Sequence, residues 1–312
     1  MTVSVAVTVV IRCLWYHRTY SFFFSNMLNP PLSLLSDDLL VSIVEQVAKL
    51  PFPDRNLNNL SLADRAFTQS CQKYIFRRLK LGNGRNISKG LKKVKKFLDD
   101  KPSFANRVRV IDLNLSWEEN ASIFEDPTFI DIFQLFAKSP MPPHELHFRG
   151  IFSCIIIEDP LLVMRQFAKS FFPQTLTILR LEEIFVVPLH LFLICPRLRE
   201  VSLDRVGATD KSYDPDPDNY CSGREAPLLE IFEYRNSHSL VEQMITPPSR
   251  FNTPVVLWSN LRVLTLAPDD REGMAHLQPI LDAACNTLEE LYLTDMYVGD
   301  CRCGVFDIRK QI

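Results

Sequence analysis

Cys301 and Cys303, with Asp300 beside them and Cys285 upstream, come nearest in this chain to a metal-ligand cluster. A structural zinc ion takes four ligands, usually from two such cysteine pairs or from cysteines joined by histidines. One pair leaves that shell half filled, so no metal is expected. His144, Glu145 and His147 form a second cluster. A metalloprotease helix sets its two histidines four residues apart, and the residue four beyond His144 is Phe148. The stretch TDKSYDPDPDNYCSGRE, 209–225, holds carboxylates of the kind calcium takes. Its prolines and spacing depart from a calcium-binding loop, and it reads as a polar insertion. The sequence has no nucleophile elbow, phosphate-binding glycine loop or dinucleotide fingerprint, and nine glycines leave few places for such loops. These residues predict a non-catalytic chain with no cofactor.

The charge balance narrows the partners. A net charge of -2 gives no reason to expect nucleic acid or an anionic membrane. Eleven Lys and Arg do crowd the stretch from Lys73 to Lys101, most densely in LKKVKKFLDD. Leu91, Val94, Phe97 and Leu98 within it form one helical stripe, which makes the lysines a solvated helix face. Eight scattered cysteines fit a reducing compartment, so cytoplasm or nucleus is expected. The opening MTVSVAVTVVI is an apolar run of eleven residues ended by Arg12. A spanning helix needs about 20 apolar residues, and a signal peptide carries positive charge before its apolar run. No membrane role is expected. Residues 1–30 read as an N-terminal extension, and Met27 directly precedes the first organised segment.

The elements that would position any site begin there. Ser36 has the chemistry of an N-cap, and Asp37 and Asp38 fall in the first turn after it. Leu39, Leu40, Ile43, Val44 and Val47 follow at helical spacing, and Pro51 and Pro53 end the run. Leu57, Leu60 and Leu62 mark a short leucine-rich turn. Phe67, Cys71, Ile75 and Leu79 then recur every four residues, which predicts one amphipathic helix reaching Leu79.

LLSDDLLVSIVEQV followed by LNNLSLADRAFTQSCQKYIFRRLKL resembles an F-box. The family's opening maps onto Leu35, Ser36, Asp38, Leu39 and Ile43, with serine where the family has proline and aspartate where it has glutamate. Its leucine-rich turn maps onto Leu60 and Leu62, and its aromatic ending onto Tyr74 to Leu79. The resemblance implies a three-helix unit that docks a Skp1-type adaptor and, through it, a cullin. It assigns that docking to Leu35, Ser36, Leu39, Leu40, Ile43, Leu60 and Leu62.

The rest of the chain repeats. L-x-x-L-x-L, with apolar substitutions, appears as VRVIDL at 108–113, LTILRL at 176–181, LREVSL at 198–203, LEIFEY at 229–234, LRVLTL at 261–266 and LEELYL at 288–293. HELHF at 144–148 is a degraded copy. The last five copies start 22, 31, 32 and 27 residues apart. Those gaps surround the leucine-rich-repeat period of about 20–29 residues. In each unit a short strand would bury alternate residues, such as Leu264 and Leu266. A return segment would cover them, as FIDIFQLFAKSP, LLVMRQFAKSFF and HLQPILDAACNTLEEL are suited to do. FFPQTLTILRLEEIFVVPLHLFLICPRLREVSLDRV resembles the repeats of F-box proteins abundant in mushroom-forming fungi.

The expected fold is therefore α/β. An F-box-like module at 31–82 and a basic helical linker or repeat cap at 83–103 precede a curved leucine-rich-repeat solenoid at 104–312. The resemblance implies a substrate-recognition adaptor of a Skp1-cullin-F-box ubiquitin ligase that holds an unnamed target protein on its repeats. A repeat-based scaffold without a ligase role is the alternative.

Overall fold

A computed structural model describes residues 36–50, 53–82, 87–116, 122–151, 170–184, 187–208, 225–248, 251, 253–267, 277–294 and 305–309. The first 35 residues, the acidic stretch 209–224, the return segment 161–169 and Cys301–Cys303 lie outside them. The chain divides into two compact units between Arg77 and Arg78.

The first unit is helical. Helix α1, Asp37–Ala48, carries Asp37 and Asp38 in its first turn, where a carboxylate meets the positive end of the helix dipole. Ser36 occupies the N-cap with extended backbone, yet its side chain makes no capping bond. Helix α2, Pro53–Ala63, opens on a proline, whose fixed φ suits a first turn. The leucine-rich turn of the sequence is thus a helix of 11 residues, because Leu57 and Leu60 both find the core. Asp64 alone separates it from helix α3, Arg65–Ile75, and caps α3 by accepting from the Ala66 amide at 2.8 Å. Leu40, Ile43, Val44, Val47, Leu57, Leu60, Phe67 and Cys71 form the shared core. Burial pushes the Cys71 thiol up to about 11, so it packs as a neutral side chain. The Tyr74 hydroxyl donates to Glu45 Oε1 at 3.0 Å and ties α3 to α1.

Helix α3 stops at Ile75, one turn short of the expected Leu79. The backbone from Arg78 has another partner. Strand β1, Arg78–Leu81, pairs in parallel with Val110 to Leu113, and strand pairing overrides the four-residue apolar spacing. Gly82 follows with φ 87, and a Cβ there would sit 2.1 Å from the Asn114 carbonyl oxygen. Only glycine fits that approach.

Among the described residues the second unit is α/β and holds one sheet whose nine strands lie in chain order. The others are β2 Val110–Ser116, β3 Glu145–Ile151, β4 Ile178–Glu182, β5 Glu200–Asp204, β6 Ile231–Arg235, β7 Val263–Ala267, β8 Glu290–Thr294 and β9 Val305–Arg309. The first eight are parallel, and β9 joins β8 antiparallel. Parallel neighbours need a crossover, and helices lie in most of these connections: α4, Ile87–Asp100; α5, Ser122–Glu125; α6, Pro127–Ala137; α7, Phe172–Thr175; α8, His190–Leu193; α9, His238–Ile245; and α10, Gln278–Ala284. Asp126 caps α6 by accepting from the Thr128 amide at 2.7 Å. Phe129, Ile132, Phe133 and Phe136 of that helix are all buried.

The register makes the repeat physical. Ile111, Leu146, Leu179, Val201, Phe232 and Leu264 align across successive strands as one buried row. Leu113, Phe148, Leu181, Leu203, Tyr234 and Leu266 align as a second. HELHF, the weakest copy in sequence, forms a full strand in that register. One carbonyl before each strand accepts from two amides of the next: Arg199 from Glu230 and Ile231, Glu230 from Arg262 and Val263, Arg262 from Glu289 and Glu290. Glu183, Arg205 and Asn236 each follow their strand with φ between 50 and 57. These three left-handed residues occupy one equivalent position. The Glu183 amide bonds the Asp204 carbonyl and the Arg205 amide the Arg235 carbonyl, both at 2.8 Å.

Among the described residues no helix is long and apolar enough to cross a membrane.

Candidate functional site

Two sets of residues are candidates, one on each unit. On the helical unit the expected docking residues separate into two sets. Leu40, Ile43 and Leu60 are buried in its core, so they hold the helices together and offer no surface. Leu39 is 42% exposed and Leu62 is 85% exposed. Ser36 is exposed at the start of α1, and Leu35 lies outside the described residues. One position along a helix is a turn of 100°, enough to move Leu39 out of the core that Leu40 enters. Leu39 and Leu62 are therefore the docking candidates that remain on the surface.

On the second unit the strands present an outer face, half-buried or exposed except at Val110 and Asp112, which are buried. Its first row runs Arg78, Val110, Glu145, Ile178, Glu200, Ile231, Val263, Glu290. Its second runs Lys80, Asp112, His147, Arg180, Ser202, Glu233, Thr265, Tyr292. Neighbouring strands lie about 4.8 Å apart, so oppositely charged residues in these rows meet.

From β1 to β5 charged residues pair in three separate groups. Arg78 lies 3.8 Å from Asp112, and Asn114 donates to Asp112 at 3.1 Å. His147 Nε2 sits 2.6 Å from Glu145 Oε1, and Arg180 Nε approaches the same oxygen at 3.5 Å. Arg180 also pairs with Glu200, and Arg149 with Glu182 at 2.5 Å. Burial pushes the Glu145 carboxyl up, but the His147 hydrogen bond and the charges of His147, Arg180 and Arg78 outweigh it. They hold Glu145 below the ordinary carboxylate value. Glu145 and His147 of the sequence cluster thus belong to a charge network that reaches Arg180 on β4 and Glu200 on β5. Ser202 lies two strands from His147, about 10 Å, so the row sets no hydroxyl nucleophile against that imidazole.

From β5 to β8 the face changes character. Ile231 is 37% exposed beside half-buried Val263, with Glu200, Glu233 and Glu290 around them. Aliphatic centres inside a polar rim are the anatomy of a binding surface. No protein-family model, curated protein or solved structure matches the chain.

Apart from Glu145 and His147, the outer rows are candidate site residues that sequence reasoning did not single out. Their signal was present: they are the variable positions of each L-x-x-L-x-L unit. Cys285 is exposed, while its expected neighbours Cys301 and Cys303 lie outside the described residues. Among the described residues no three His, Cys, Asp or Glu side chains gather as metal ligands.

Proposed function

We propose that this chain is the substrate-recognition adaptor of a Skp1-cullin-F-box ubiquitin ligase. The helical unit is read as an F-box that binds Skp1. The second unit is read as a leucine-rich-repeat solenoid that binds a target protein on the outer face of its strands. One observation carries this reading. A compact three-helix unit with exposed leucines is followed at once by a unit whose parallel strands repeat in chain order. The apolar rows, the shared carbonyl ladder and the recurring left-handed residue support a repeat origin for that order. Catalysis then belongs to the partner ligase. The chain contributes proximity, turning a bimolecular encounter between ligase and target into a local one.

Co-purification with Skp1 tests it. The double variant Leu39→Asp, Leu62→Asp changes two exposed residues and leaves the helical core intact. It is expected to keep its circular dichroism spectrum and to lose Skp1. Failure of the wild-type chain to hold Skp1 would sink the reading. Capture of Skp1 without a cullin would favour the scaffold alternative.

A further inference from the structure

Residues 78–110 hold eleven Lys and Arg against two Asp, a local charge of +9 in a chain whose total is -2. The remainder therefore carries -11. Helix α4 concentrates the positive charge on one side. Ile87, Leu91 and Leu98 are buried in the core of the second unit. At 100° per residue, Lys89, Lys93 and Lys96 point away from that core and Lys92 flanks them. All four are exposed. Lys95 lies off this stripe and is occupied by Asp99 at 2.7 Å.

Two features of the stripe work against the helix. Lysines three and four residues apart repel one another. Gly90 adds a second cost, since glycine is a poor residue for a helix interior. Packing does not require it, because a Cβ there would have nothing within 4 Å. The result is open space at Gly90 beside the lysines, continued by Phe97, which is 38% exposed, braced by Phe104 at 4.9 Å between ring centroids and has the Lys101 ammonium 5.8 Å from its centroid.

We propose that Lys92, Lys93 and Lys96, with Lys89, form a docking face for an acidic polypeptide segment, one apolar side chain of which lies on the Gly90–Phe97 shelf. The scale of the stripe selects this partner. From Lys89 to Lys96 it spans about 10 Å at the helical rise. A nucleic-acid duplex or an anionic bilayer presents a far larger negative surface, which the -11 of the remaining chain repels. At physiological salt charges act over about 8 Å, so a short acidic segment meets the stripe alone. The inference goes beyond the adaptor reading, because it rests on the second unit and needs no Skp1.

The test is fluorescence anisotropy on the full chain with a labelled short Glu/Asp peptide containing one Leu. Comparison probes are the same peptide with Gln and Asn for Glu and Asp, a short DNA duplex, and phosphatidylserine vesicles. The acidic peptide is expected to bind, more weakly as salt rises, and the neutral peptide to fail. Lys92→Glu, Lys93→Glu, Lys96→Glu should weaken binding by about tenfold or more, the loss expected when three modest surface ion pairs vanish. The matching Gln variant should show a smaller loss. Lys138→Glu, an exposed site at the C-cap of α6, should show none. Melting curves establish that each variant folds. Equal affinity in the charge-reversed chain, no binding of the acidic peptide, or tighter binding of the duplex or the vesicles overturns the proposal. Skp1 capture, measured on the same preparations, reports separately on the adaptor reading.

Discussion

Glu145 shows how a single side chain is tuned by strand register. His147 bonds it on its own strand, Arg180 approaches it from β4, and the charge of Arg78 on β1 also acts on it. Its carboxyl is held below the usual 4.5, so the unfolded chain binds that proton more readily than the folded one. The stabilisation is complete above the unfolded value and disappears as pH falls through the lower folded value. Glu145→Gln should therefore be less stable than wild type at neutral pH. The gap should close on acidification below about pH 4.5. Urea denaturation midpoints measured from neutral to acid pH check this, and a gap independent of pH would contradict the assigned charge pairing.

At the scale of elements, the three helices of the first unit depend on very few side chains. Phe67 and Cys71 of α3 are fully buried, and among the described residues the core they join has only six other buried members. Phe67→Ala should cost about 3–5 kcal/mol, much of what so small a unit possesses. Hydrogen exchange should then lose protection across 37–75 while the strand amides of 178–182 keep theirs. The exposed change Leu62→Asp should alter stability by no more than about 0.5 kcal/mol. Strand β1 carries a related lesson. Four residues that continue a helical apolar pattern are a strand, because Val110 to Leu113 offer their backbone a partner.

For the whole molecule, the decisive property is that each parallel strand bonds only to its neighbours in chain order. Stability then spreads by nearest-neighbour contact. Leu203, fully buried in the central strand β5, touches that logic directly. Leu203→Ala should cost about 2–5 kcal/mol. Amide exchange should quicken first in β4, β5 and β6, and only later in β1 and β8. A uniform increase would show that the sheet unfolds as one block. Charge is also distributed at this scale, with the +9 of residues 78–110 set against -11 elsewhere.

Much of this architecture was legible in the order of residues. Alternating leucines determine a strand with one buried side, and their recurrence determines that the strands stack, because no single copy can cover its own apolar row. Leu264 and Leu266 are buried as the spacing requires. Periodicity also placed the lysines of α4 in water by placing Leu91 and Leu98 inside. Tertiary structure decided the rest. Leu39 and Leu40 are chemically identical and adjacent, and only the positions of α2 and α3 make one a surface and the other a core. Arg180 looks unrelated to Glu145 until strand pairing sets it within reach of that carboxylate. A sequence records spacing along one chain, whereas both distinctions depend on what a neighbouring element presents across the gap.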